Sequence, residues 1–228
     1  MPIHLSYHLI RSRKRRKTIS LHIKEDGSII IYVPYRTPQR EIERFLEERR
    51  PWIVEKMLEK EKSIRETEKA FIPGEKFLYL GESYPLEMEE SNNRKVLLRL
   101  SFSKFVLDKD HTAKAKALFI EWYKREAIEK IPGRVHYLGN KFKLLPQGIR
   151  ITSARYRYGS CSRDNRLSFS WRIIMAPLKI IDYILIHELM HIKEKNHSKS
   201  FWSQVESIIP DHKGHRLWLK QNGHALWL

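Results

Sequence analysis

From Leu178 to Ile192 the chain reads LKIIDYILIHELMHI, and Ile180, Ile181, Ile184, Leu185, Leu189 and Ile192 cover most of the circumference of a helix. A helix that is apolar nearly all round is buried, so the rest of this chain has to be built around it. Pro177 suits its first turn. Burial gives meaning to the polar residues within it and just beyond, His187, Glu188, His191 and then His197, because a buried polar group must find a partner.

Residues four apart lie one turn above each other on a helix, so His187 and His191 can aim ring nitrogens at one point. Glu188 sits beside that point without chelating it, where a carboxylate takes a proton from a water on the ion. This is the His-Glu-x-x-His arrangement of zinc peptidases. A tetrahedral site needs a third protein ligand and an open fourth position. His197 is the candidate, with Asn196 expected to end the helix in a left-handed turn and Ser198 to cap the next helix, SKSFWSQVESII, which Pro210 closes. Chance predicts about 0.05 such His-Glu-x-x-His matches at this composition, so a single zinc ion at His187, His191 and His197, with Glu188 as catalytic base, is favoured over scattered core histidines. The same residues also fit hydrolysis of a non-peptide amide or ester. For the oxyanion, Tyr156, Tyr158, Arg172, His212 and His215 are candidates.

The segments around this helix set the rest of the expectation. LSYHLIRS and TISLHIKEDGSIIIYVP alternate apolar and polar residues, with Asp26-Gly27 as a hairpin turn. Thr37-Pro38 opens a helix carrying Ile42, Phe45, Leu46 and Arg49, and Pro51 is expected to restart it. Residues 70–107 suggest a small antiparallel meander with turns at Pro-Gly, Gly-Glu-Ser and Ser-Asn-Asn. Leu118, Phe119, Trp122, Tyr123 and Ile128 form one helical stripe, which Pro132-Gly133 should break before a further short helix in RVHYLGNKF. Runs near Ile149–Tyr158 and Leu167–Ile173 flank GSCSRDN and predict a β-hairpin ahead of the histidine helix. The C-terminal DHKGHRLWLKQNGHALWL reads as a helix packing Leu217, Trp218 and Leu226 on the core. His212, His215 and His224 are expected to stay out of the metal site. Asp182 is either a carboxylate supporting a histidine or a surface charge, and Phe201 and Trp202 serve packing.

Composition limits partners and compartment. With 228 residues and 41% hydrophobic content the chain can bury a real core. The lone Cys161 forms no intrachain disulfide and reads as a small residue buried at the hairpin. No stretch approaches the roughly 20 apolar residues of a membrane span, and no apolar signal core opens the chain, so the cytoplasm is expected. The formal charge is +17, and Arg11, Arg13, Lys14, Arg15, Arg16 and Lys17 fall within seven positions. A surface of this kind attracts polyanions. One reading of the N-terminal run is therefore a nucleic-acid contact, with the zinc site structural or acting on DNA-bound proteins. The other is a solvated strand edge. Oligomeric state has no signature in the sequence.

Four segments carry a family resemblance: YGSCS at Tyr158–Ser162, SWR at Ser170–Arg172, DYILIHELMH at Asp182–His191 and NHSKSFW at Asn196–Trp202. In these the chain resembles the YgjP-like metallopeptidases, relatives of the SprT-like and Wss-type zincins. Tyr158 stands where that family usually has tryptophan, and Ser170 where asparagine is common. Glu194 stands where metzincins carry glycine, which sets the chain apart from them despite the shared spacing. The resemblance implies zinc held at His187, His191 and His197, a base at Glu188, and a peptide or protein substrate. The fold it implies is α+β: a β-rich N-terminal hairpin, helix and meander region over residues 1–108, then a compact zincin-like catalytic domain over 109–228 with an antiparallel sheet and the active-site helix.

Overall fold

The computed structural model describes residues 7–23, 28–67, 69–90, 96–155 and 157–228, without the side chains of 59–67. The fold is α+β, with five α-helices and three small sheets among these residues. Contacts divide the chain into two compact units, residues 1–68 and 69–228.

In the first unit β1 (Tyr7–Ser12) and β2 (Ser20–Ile23) flank β3 (Ile29–Pro34), giving the order β1-β3-β2. β1 runs parallel to β3 and β2 antiparallel to it. The expected Asp26-Gly27 turn joining β2 to β3 lies outside the described residues. Helix α1 spans Gln39–Thr67, beginning one residue after the expected Pro38, and it passes through Pro51 instead of restarting there. The reason is tertiary. Ile42, Leu46 and Ile53 are buried against Ile29, Ile31 and Val33, so the apolar stripe continues across the proline. Burying a side chain such as Ile53 contributes about 1.5–3 kcal/mol, comparable with the roughly 3 kcal/mol that an interior proline costs.

The second unit opens with β4 (Lys76–Tyr79), β5 (Glu82–Glu89), β6 (Leu98–Ser101) and β7 (Lys104–Asp108) in the order β4-β5-β7-β6. This is not the meander expected from the sequence. β7 inserts between β5 and β6 and runs parallel to β5. The β4–β5 turn uses Leu80 (φ 51) and Gly81 (φ 88), a pair of positive φ angles that suits a two-residue hairpin. Its amides donate outward, Leu80 to the Ile174 carbonyl at 2.9 Å and Gly81 to the Met175 carbonyl at 3.2 Å. A Cβ on Gly81 would lie 2.7 Å from Pro177 Cα, so only glycine allows the turn to dock there.

Helix α2 (Ala115–Phe142) packs on this sheet through an aromatic cluster: Phe77 stacks on Phe119 at 4.0 Å and Phe105 meets Trp122 edge-on at 4.8 Å. The chain's division at 68/69 follows this packing, which places residues 76–108 in one core with α2, whereas the sequence boundary at 108/109 follows the end of the strands. Pro132 does not break α2 either, because Ala127, Ile131, Val135 and Leu138 bury one continuous face. Ile128, expected on that stripe, is 60% exposed.

The last sheet has β10 (Arg166–Ser170) at its centre, with β9 (Gly159–Cys161) antiparallel and β8 (Gly148–Thr152) parallel to it. The expected hairpin between the runs near Ile149 and Leu167 is not formed, since β8 pairs parallel to β10; the antiparallel partner is GSC, itself a strand rather than part of the turn, and the sheet is mixed rather than antiparallel. Trp171–Met175 forms a 3₁₀ segment, so the second run leaves the sheet after Ser170. α3 (Leu178–Met190) follows, buried along almost its whole length, with Pro177 as its N-cap. α4 (Lys199–Ile208) and α5 (His212–Asn222) close the chain. Leu226 is fully buried and Trp218 partly so, but Leu217 is exposed. No described helix is long and apolar enough to cross a membrane.

Candidate active site

The last turn of α3 carries His187 and Glu188, and His191 is its C-cap. The helix ends at Met190, earlier than expected, and Asn196 takes no left-handed conformation. Asn196 acts through its side chain instead, its Oδ1 accepting from the Ser198 amide at 3.0 Å. Ser198 Oγ accepts from the Phe201 amide at 3.2 Å, capping α4 as expected. The loop between α3 and α4 thereby brings His197 back over α3.

One nitrogen from each of His187, His191 and His197 lies within 4.8 Å of the others. His187 Nε2 and His197 Nε2 are 2.9 Å apart. His191 Nδ1 donates to the Glu194 carbonyl at 2.8 Å, which leaves Nε2 as the ligand atom. Burial, with the neighbouring histidines adding to it, pushes His187 down to about 3, so the ring is neutral near pH 7. Imidazole nitrogens converging at this spacing are a donor set that fits one small divalent cation. Phe201 and Trp202 wall the cluster, with His191 stacked on Phe201 at 4.6 Å and His197 on Trp202 at 5.6 Å.

Glu188 is 7% exposed. Burial pushes its carboxyl up to about 7, with Arg157 pulling in the opposite direction. β9 crosses directly over it. A Cβ on Gly159 would lie 2.5 Å from Glu188 Cγ and 2.9 Å from Oε1, so the glycine is what admits the carboxylate under the strand. The sequence reading treated Gly159 as a turn residue and missed this role, although its place in YGSCS was the available signal.

Other expected residues separate clearly. Tyr156 lies outside the described residues. Arg172 is held between Trp171 and Trp227, 4.4 and 4.8 Å from their ring centroids, and donates to the Ser153 carbonyl. Tyr158 packs on the core with its hydroxyl against Gly223. His212 stacks on Trp202 at 5.6 Å, and His215 lies 5.8 Å from Tyr183. Neither joins the three-histidine group, nor does His224. Asp182 is neither of the things expected: it forms a two-bond ion pair with Arg134 of α2, at 2.7 and 2.6 Å. Arg216 was not anticipated. Its guanidinium lies 4.6 Å from the Trp202 centroid and its charge bears on both His187 and His197.

Cys161 is half-buried at the hairpin, where Lys195 reaches it. Lys195 also donates to the Ser162 carbonyl at 2.8 Å and Asn165 Oδ1 at 2.6 Å, tying the histidine loop to the β9–β10 turn. In the basic N-terminal run, Arg11 donates to the carbonyls of Tyr35 and Thr37, Arg13 lies over Tyr35, and Arg15 lies over Tyr32 and donates to Ser20. Lys14, Arg16 and Lys17 are exposed. Half of that run is thus engaged in holding its own unit together.

No curated protein matches the chain. Among solved structures, the crystal structure of the metallopeptidase zymogen of Pyrococcus abyssi abylysin matches 40% of this chain and 93% of its own, at 23% identity and a TM-score of 0.36. The family model described as YgjP-like, metallopeptidase domain, matches residues 17–222. That span covers most of both compact units and the whole histidine cluster, and the chain belongs to the YgjP-like metallopeptidase family.

Proposed function

We propose that this metal-dependent peptidase is a zinc enzyme in which His187, His191 and His197 hold the ion and Glu188 is the general base. The observation that carries the reading is the convergence of three ring nitrogens within 4.8 Å beside a buried carboxyl on the same helix. Zinc, when bound, supplies Lewis acidity toward the scissile carbonyl and acidifies a water for attack. Glu188 accepts the proton from that water and returns it to the leaving amine. Gly159 keeps the strand from displacing the carboxylate, and the neutral His187 avoids repelling a cation. The edge of β9, directly over Glu188, is where an extended peptide pairs with the enzyme.

Glu188→Gln tests the assignment. It is expected to keep stoichiometric metal, read by elemental analysis, while cleavage of an unstructured protein substrate falls about 10²–10⁴-fold. Unchanged turnover would remove Glu188 from the chemistry. Loss of metal would make it a ligand instead of a base.

A further inference from the structure

The sheet that crosses the active site has two chemically different faces. Leu167 and Phe169 of β10, with Ile149 and Ile151 of β8 and Cys161 of β9, turn toward the core. Strand alternation turns the register-matched set Arg166, Ser168, Arg150 and Ser160 to the other face. That face is a groove of about 720 Å³ lined by Arg150, Arg157, Arg166, Ser160, Ser168 and, at the turn end, Asp164. Three guanidinium groups thus share one concavity with a single carboxylate. All three arginines are exposed, and among the described residues none is in an ion pair or donates a side-chain hydrogen bond. Elsewhere in this unit Arg134 is paired with Asp182 and Arg99 with Glu89. Arg157, one of the groove residues, also bears electrostatically on Glu188.

We propose that this groove is a specificity subsite for acidic side chains of an extended peptide substrate paired on the free edge of β9. The inference rests on the peptidase reading above and adds a substrate class to it. β9 bonds to β10 on one side and has no strand on the other among the described residues. A peptide added there continues the sheet, so its side chains alternate between the Glu188 face and the arginine face. Every second side chain therefore points to the face on which the guanidinium groups of Arg150, Arg157 and Arg166 and the hydroxyls of Ser160 and Ser168 lie. Guanidinium forks match carboxylates in geometry as well as in charge.

The test uses the full-length Glu188→Gln protein, so that binding is read without cleavage, and fluorescently labelled extended peptides carrying Glu or Gln at alternate positions. The Glu peptide is expected to bind about tenfold tighter at low salt, as two partly exposed charge pairs would provide, with the advantage shrinking as salt rises. Arg150→Gln, Arg157→Gln and Arg166→Gln combined should reduce that preference below about twofold. Replacing the same three arginines by lysine should retain part of it, which guards against a folding defect. Neutralising Arg13, Lys14 and Arg16 removes as much charge from the other unit and should leave the preference intact. Equal affinity for the two peptides, or a preference that survives the triple glutamine variant, overturns the proposal. So does a single-stranded oligonucleotide that binds through these arginines and excludes the peptide. Cleavage of the all-Gln peptide by metal-loaded wild-type protein is measured in parallel, so failure of the peptidase reading is distinguished from failure of the subsite.

Discussion

The site is made of two halves that differ in how they are held. His187, Glu188 and His191 are placed by a helix buried on nearly every face. His197 is exposed and hangs on the loop between α3 and α4, held by side-chain hydrogen bonds from Asn196 and Ser198 and by Lys195. Packing fixes the first half and polar struts fix the second. The difference extends to charge in size, not in cause: burial and then His191 lower both His187 and His197, but deeper burial carries His187 down to about 3, while His197 stands nearer solvent. Two ligands set by packing and a third set by polar struts are a design in which metal binding and the loop's hydrogen bonds are linked.

The largest expected effect separates the halves directly. His187→Ala should weaken metal affinity by about a hundredfold or more, because it removes a pre-placed ligand. His197→Ala should cost less, since His187 and His191 still converge. Chelator competition measures both, and an equal or larger loss for His197 would break the comparison.

The second effect concerns the metal-free chain. A carboxyl raised from 4.5 to about 7 binds its proton more tightly when folded, so its contribution to stability is full below pH 4.5 and lost as pH rises through 7. His187, lowered from 6.5 to about 3, runs the other way: its contribution is full above 6.5 and lost as pH falls toward 3. Glu188→Gln should therefore gain on wild type by about 3 kcal/mol between pH 4.5 and 8, measured by denaturant unfolding with chelator present. A flat difference would show that the buried helix half does not carry the strain assigned to it.

Gly159→Ala comes next. Its Cβ would sit against Glu188 Cγ, and forced overpacking costs about 1–3 kcal/mol. Activity should fall with metal content unchanged, and full activity would show that β9 can retreat. Smallest is Lys195→Met, which removes the strut from the loop half. Metal affinity should drop by about tenfold with melting temperature nearly constant; a fall in melting temperature without a change in affinity would mark Lys195 as structural.

The same contrast explains what could be read in advance. The four-residue spacing of His187 and His191 and the apolar rotation of α3 are local properties, visible in any short window. Ser198 as a cap is local too. Pro51 and Pro132 misled because local propensity argued for breaks, while Ile53, Val135 and Leu138 are buried by partners far along the chain. The parallel pairing of β5 with β7 and the bond from Asp182 to Arg134, 48 residues away, are decided by topology that no window contains. Gly159 stood in plain view within YGSCS, but its reason for being glycine lies on another element.

The Leu80-Gly81 turn carries a consequence for how the reactive helix is placed. Its two amides grip the 3₁₀ segment just ahead of α3, and its glycine abuts Pro177 at the helix start. A helix is stiff along its axis, so a stop at one end sets the height of residues three turns away. The aromatic core under the four-stranded sheet thereby acts as the datum from which His187 and Glu188 are levelled, and a bulkier residue at position 81 would misalign chemistry it never touches.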